Sequence, residues 1–246
     1  MTANWYNNYE LPNQDKPIEG SITKTDIDKT IPSISTVDEF SRYEEFFKAS
    51  QYSVEFSPTT QNYCVGLVDM VDSTKITARI GWARSSRYYQ VFLNSMSGIL
   101  KRFGGFVIKN VGDCLVYYFP ESAKRERKFG FLSCLEANLA MIENHDMLCK
   151  ILSQEGLPPV DYRISSDYGS VVIMKSNGSP VPDMIGPPLN MCSKINHFAK
   201  KNGIVIGGDL YELVKEFEEY SFKEIEGMSL GFKYSYPVFS VTRKKK

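Results

Sequence analysis

Histidine, tryptophan and any excess of one charge are what this chain has little of. Its two histidines, His145 and His197, stand in unrelated segments, so neither a histidine-based nucleophilic centre nor a zinc hydrolase has a ligand set to build on. Lys plus Arg and Asp plus Glu are both 29, a formal net charge of zero, and nothing in that balance draws the protein towards nucleic acid or acidic lipid. The five cysteines (Cys64, Cys114, Cys134, Cys149 and Cys192) are odd in number and show no CxxC spacing. They read as reduced thiols in a core, with neither a disulfide framework nor a zinc site. No apolar run approaches the roughly 18–20 residues that cross a bilayer, and the opening MTANWYNNYELPNQDK has no signal-peptide core. A soluble, cytoplasmic protein without a membrane span is expected. The final RKKK from Arg243 reads as a solvated terminus.

A chain of 246 residues suits one large domain plus an extension. Residues 1–35 are polar and rich in Pro, Asn, Ser and Thr with little periodicity, and form the expected N-terminal extension. Thr36 and Glu39 make a capping-box pattern, and Phe40, Tyr43, Phe46 and Phe47 follow at helical spacing, so residues 36–59 are expected to hold an amphipathic helix over 37–50 and a linker. From Tyr63 the pattern becomes regular. YCVGLVDM reads as a buried strand, and SSRYYQVFLNSMSGILKRF as a helix ended by Gly104 and Gly105. FVIKN and CLVYYF form a hairpin around VGD, with Gly112 in its turn. Phe129, Leu132, Leu135, Leu139 and Ile142 mark the buried face of a long helix; DYRISSDYGSVVIM is strand-like, with Gly169 suggesting a bulge or bend. A helix near Pro187, a strand GIVIG, a helix DLYELVKEF and a last strand near PVFSV follow. The expected architecture is α+β, a ferredoxin-like (split βαβ) sheet with helices on one face.

Two aspartates stand out. Asp69 ends the apolar strand of GLVDMVDST, and Asp113 sits in the hairpin turn of IKNVGDCLVYYF. Carboxylates on adjacent strand ends, with no His or Cys beside them, are hard oxygen ligands of the kind that hold Mg²⁺ or Mn²⁺, ions that commonly act on phosphates. Taken alone, each residue could equally end a strand or fill a turn.

With GLVDMVDST, RFGGFVIKNVGDCLVYYF, YRISSDYGSVV, DMIGPPLNMCSKI and GIVIGGDLYELV in order, residues 60–243 resemble the catalytic domain of the class III nucleotidyl cyclases, the adenylate and guanylate cyclase family. The resemblance implies the same ferredoxin-like fold and an adenylate cyclase that converts ATP to 3′,5′-cyclic AMP and pyrophosphate with two Mg²⁺ or Mn²⁺ ions. Asp69 and Asp113 match the metal ligands. Ser73 and Thr74 fall where a helix start would hold the phosphates, or serve as simple caps. Asn190 matches the ribose-orienting asparagine. Lys194 stands where the family usually has an arginine on the phosphate, keeping the charge but losing the planar fork. Lys109 and Asp183 match base-reading positions and complement adenine. Because the family takes its metal ligands from one subunit and its base-reading residues from the other, the resemblance also implies a homodimer with two sites. Against full activity stand Lys194 and the carboxyl end, where Leu230 and Gly231 occupy the alignable positions of a phosphate-binding lysine and glycine, with Lys233 displaced. The alternatives are a catalytically weakened, nucleotide-binding or regulatory module, or a cyclase with another base preference. GGDLYE at Gly207 is better read as a strand end with Asp209 as a helix cap than as the GGDEF signature of diguanylate cyclases.

Overall fold

The structure is a computed structural model that describes residues 52–126, 128–225 and 236–244. The expected extension 1–35, the helix at 37–50 and the positions Leu230, Gly231 and Lys233 lie outside the described residues.

The long strand β1 (Val54–Met70) is the spine of the domain. Between Cys64 and Met70 both of its faces are covered: Cys64, Val68 and Met70 join the main core, while Val65 and the partly buried Leu67 pack on the opposite side. A strand covered on two faces reads as a continuous apolar run, which is how YCVGLVDM stands in the sequence. β1 pairs antiparallel with β3 (Cys114–Phe119) on one side and with β4 (Tyr162–Ser176) on the other. β2 (Phe106–Val111), β5 (Ser179–Ile185), β6 (Gly203–Gly207), β7 (Tyr220–Glu224) and β8 (Val238–Arg243) complete one sheet. Its order is β2-β3-β1-β4-β6-β8-β7, with β5 pairing off β4, and β4 and β6 are its parallel pair.

Helices α1 (Ser73–Ile80), α2 (Trp82–Arg102), α3 (Phe129–Glu143), α4 (His145–Gln154) and α6 (Gly208–Val214) send their apolar residues into the main core. On α2 the buried set Ser85, Tyr88, Phe92, Met96 and Leu100 steps by three and four residues, the stripe of a helix on a sheet. The helix ends as expected. Gly104 takes φ 75, its N–H reaches the Lys101 carbonyl at 3.2 Å, and the Gly105 N–H reaches that of Leu100 at 2.9 Å. This pair of bonds is the Schellman ending, for which glycine carries no Cβ penalty.

The helices do not all share one face. α5 (Pro187–Ile195) lies on the opposite side of the sheet, where Leu189 and Cys192 pack on Val65 and Val171. Among the described residues, that one helix covers the second face only in part.

Two further expectations need correction. On α3, Phe129 is 65% exposed and Leu132 lies at the surface, whereas Phe131, Cys134, Ala137, Asn138 and Met141 are buried with Leu135 and Leu139. A helix enclosed on most sides has no single apolar stripe, and its polar Asn138 is satisfied inside: it accepts from Tyr117 Oη at 2.6 Å and donates to Ser166 Oγ at 2.8 Å. Gly169 marks neither a bulge nor a bend. It pairs in register with Tyr63, β4 runs on to Ser176, and Pro188 of α5 packs over it.

Candidate active site

The partly covered face forms a cleft of about 500 Å³ in the range of small-molecule sites. Asp69 and Arg163 lie at one end; Lys109, Val116 and Met184 form a wall, and Leu189 and Asn190 of α5 line another part.

Asp69 is the next-to-last residue of β1, paired across β3 with Cys114 and across β4 with Arg163. Asp113 precedes Cys114 in the two-residue turn between β2 and β3, where Gly112 takes φ 61, the positive φ that such a turn demands and glycine supplies without strain. The two aspartates are therefore neighbours across a strand pair although 44 positions separate them in the chain. The Asp69 carboxyl is pushed up to about 6, first by burial and then by the charge of Asp113, while Arg163 pulls it down. Among the described residues no group of three or more His, Cys, Asp and Glu could hold a metal. Two half-buried carboxylates that repel each other, with oxygen donors only, fit a hard divalent cation that keeps water or phosphate oxygens as its remaining ligands.

Arg163 escaped the sequence reading as a site residue. Its Nε is buried and has no hydrogen-bond partner among the described residues, and its side chain lines the cleft with that of Asp69, its cross-strand partner. A guanidinium with an unused buried donor beside a carboxylate pair is suited to an oxyanion such as phosphate. The available signal was an arginine inside YRISSDYG, a strand otherwise almost wholly buried.

Ser73 and Thr74 open α1, as expected, but neither lines the cleft. The residue before them, Asp72, takes φ 57, a left-handed conformation that aspartate tolerates better than most side chains. Its carboxylate bonds Lys75 at 2.6 Å and lies 3.7 Å from Lys201, contacts that hold it below the usual carboxylate range. This helix start thus carries an ionised carboxylate paired with lysines of its own.

Lys109 and Asp183 meet. The Lys109 ammonium donates to Asp183 Oδ2, and the Met184 N–H donates to Asp183 Oδ1 at 2.7 Å. A bulge makes this possible: between Val107 and Lys109 the pairing of β2 with β3 slips by one residue, so Ile108 packs with Cys114 and Val116 while Lys109 lines the same side of the sheet. Bulges re-aim side chains in this way.

Asn190 and Lys194 are both exposed on α5, one turn apart. Asn190 lines the cleft, while Lys194, in the last turn of the helix, does not. The structure thus gathers Asp69, Lys109, Asn190 and the unexpected Arg163 in one cleft, joins Asp183 to it through Lys109, and leaves Asp113, Ser73, Thr74 and Lys194 outside its lining.

No protein-family model matches the sequence. The fold is that of class III adenylyl and guanylyl cyclase catalytic domains. An adenylyl cyclase of P. aeruginosa, CyaB, superposes with a TM-score of 0.68 at 18% identity, covering 79% of this chain and 98% of that one. The guanylyl cyclase Cya2 gives 0.65 at 14% identity, over 74% and 92% of the two chains. A dimeric guanylyl cyclase domain from the aquatic fungus Blastocladiella emersonii gives 0.64 at 17%, over 76% and 99%. In sequence the chain is 23% identical over 192 residues to a cytidylate cyclase of Staphylococcus aureus, covering 74% of this chain and 45% of that protein. The chain therefore spans less than half the length of that curated relative. Among the described residues no helix is long and apolar enough to cross a membrane.

Proposed function

We propose that this protein is a nucleotidyl cyclase that closes a nucleoside triphosphate, ATP, to its 3′,5′-cyclic monophosphate and releases pyrophosphate. The observation that carries the reading is the apposition of Asp69 and Asp113 on neighbouring strand ends, with Asp69 and its cross-strand partner Arg163 lining the cleft.

The reaction forms one bond, from the ribose 3′-oxygen to the α-phosphorus, and breaks one, from that phosphorus to the pyrophosphate oxygen, while the 3′-hydroxyl loses its proton. Asp69 and Asp113 would hold divalent cations, which when bound supply positive charge to the triphosphate and its leaving group. Arg163 contributes fixed positive charge from the protein, and its unpartnered Nε–H is a donor for a phosphate oxygen. Asn190 orients the ribose, and Lys194 adds a compact cation near the phosphates without an arginine's two-pronged geometry. Ser73 and Thr74 border the phosphate end. Lys109 and Asp183 hold the base: the ammonium faces adenine N1 and the carboxylate accepts from the 6-amino group.

The site is completed by a second copy of the chain, which brings the base- and ribose-binding residues of one protomer over the carboxylates of its partner. Exposed apolar residues support such a partner: Phe56 on β1, Phe106 and Val111 on β2, and Val181 and Ile185 on β5. The likeness to a cytidylate cyclase favours a second reading, with CTP as the substrate.

The test is product formation by the purified chain with each of the four nucleoside triphosphates and Mn²⁺ or Mg²⁺. A cyclic nucleotide that disappears in both Asp69→Ala and Asp113→Ala establishes the cyclase. Absence of any cyclic product from a folded dimer moves the assignment to a nucleotide-binding module.

A further inference from the structure

Two basic side chains of the cleft keep hydrogen-bonding capacity that no described residue takes up. One is Arg163, through its buried Nε. The other is His197, which lines the same cleft and is exposed. Its imidazole makes no hydrogen bond or ion pair among the described residues; its ring contact is with Phe198, the centroids 3.9 Å apart.

The backbone that carries His197 is held in place against β4. His197 sits on the 3₁₀ turn Asn196–Phe198 between α5 and β6. The preceding Asn196 is buried, and its Nδ2 donates to the Arg163 carbonyl and to Ser165 Oγ, each at 3.3 Å. Ser165 Oγ in turn donates to the Cys192 carbonyl of α5 at 2.9 Å. The turn is thus tied to β4 at the level of Arg163, where β1 delivers Asp69. Residues paired across strands share a face, so Cys114, Asp69 and Arg163 form one row across β3, β1 and β4. The row ends at Gly203 of β6, which has no side chain, and the turn lines the cleft with Asn196 and His197.

We propose that His197 binds the phosphate chain of the substrate, and the pyrophosphate that leaves, together with Arg163 on the half of the site that carries Asp69. This rests on the cyclase reading above for its ligand and adds a residue that the reading does not use. Of the other charged groups lining the cleft, Lys109 is engaged with Asp183 and Asp69 is itself an anion. A triphosphate carries more negative charge than Arg163 alone can match. An imidazole donates an N–H to a phosphate oxygen when neutral and adds charge to that bond when protonated, while the guanidinium is charged in every state. Two donors from different elements, β4 and the turn after α5, also fix the orientation of the phosphates, which a single donor does not.

The experiment titrates inorganic pyrophosphate and tripolyphosphate into the full chain with Mn²⁺ by calorimetry, alongside turnover of the four nucleoside triphosphates. These probes have neither base nor ribose, so they read the phosphate end alone. His197→Ala should weaken both by at least about tenfold, the scale of one hydrogen bond to a charged group. His197→Arg, which keeps a donor and a charge, should stay within about threefold of the wild type. Lys200→Ala removes an exposed cation three positions along that does not line the cleft, and should change affinity by less than about twofold. Unfolding midpoints check that each variant is folded. Wild-type affinity in His197→Ala overturns the assignment. So does an equal loss in Lys200→Ala, which would make the attraction diffuse surface charge, and so does failure of both probes to bind the wild-type chain. The expected order of affinities with no cyclic product from any triphosphate would sink the cyclase reading and leave the phosphate pair standing. Cyclic product formed by a His197→Ala variant with wild-type turnover and polyphosphate affinity would sink the pair alone.

Discussion

Asp69 on β1 and Arg163 on β4 are directly paired across the sheet, and the guanidinium Nε of Arg163 is buried there without a hydrogen-bond partner among the described residues. A buried donor left unmade costs free energy, so its persistence beside two carboxylates is what a site for an anionic ligand would require. Arg163→Ala should lower kcat/KM for cyclisation by roughly 10²- to 10³-fold, the scale set by losing one preorganised charge stabiliser. Arg163→Lys should recover part of that loss, since it restores the charge without the fork. Steady-state kinetics on the two variants check this, and wild-type rates in Arg163→Ala would remove the residue from the site.

If the two halves of each site come from different protomers, inactive variants should rescue one another. Asp69→Ala lacks the carboxylate half, and Asn190→Ala lacks the ribose half. Mixed in equal amounts and allowed to exchange, half the dimers would be mixed and each of these would hold one intact site of two, giving about one quarter of wild-type activity. Mixtures no more active than their parents would place both halves within one chain.

Asp167 gives a pH dependence of stability. It is buried on β4, where Tyr236 Oη donates to Oδ2 at 2.8 Å and the N–H groups of Tyr168 and Leu210 donate to Oδ1 at 2.9 and 3.3 Å. Burial outweighs these bonds and pushes its carboxyl from 3.8 up to about 7. The folded state thus holds a proton that the unfolded chain releases above pH ~4, so this group's contribution to stability is full below that pH and is lost as pH rises towards ~7. Relative to Asp167→Asn, the wild-type protein should lose on the order of 3 kcal/mol across that interval, at about 1.4 kcal/mol per pKa unit. Denaturant melts of both proteins at pH 4.5 and 7.5 measure the difference, and parallel pH profiles would contradict it.

Gly66 lies on β1 under the Tyr117 ring, and a Cβ placed there would come within 2.4 Å of ring carbons. Tyr117 is fixed in turn by its bond to the buried Asn138. Gly66→Ala should therefore destabilise the domain by roughly 1–3 kcal/mol through overpacking. Chemical denaturation reads the loss; a neutral effect would mean that the ring can move.

The local elements were legible in the order of residues alone: the buried run into Asp69, the hairpin that sets Asp113 in its turn, the glycine ending of α2 and the proline-led start of α5. These follow from short-range chemistry, namely turn geometry, capping and the period of apolar side chains, which neighbouring residues carry among themselves. The rest came from long-range packing. Arg163 faces Asp69 because β4 takes a particular register against β1, and Lys109 meets Asp183 across 74 positions because a bulge in β2 turns it towards β5. The buried faces of α3, and the placement of α5 on the far side of the sheet, likewise depend on what packs around each helix. Register and packing are set by contacts between segments distant in the chain, and no short window of residues contains both partners.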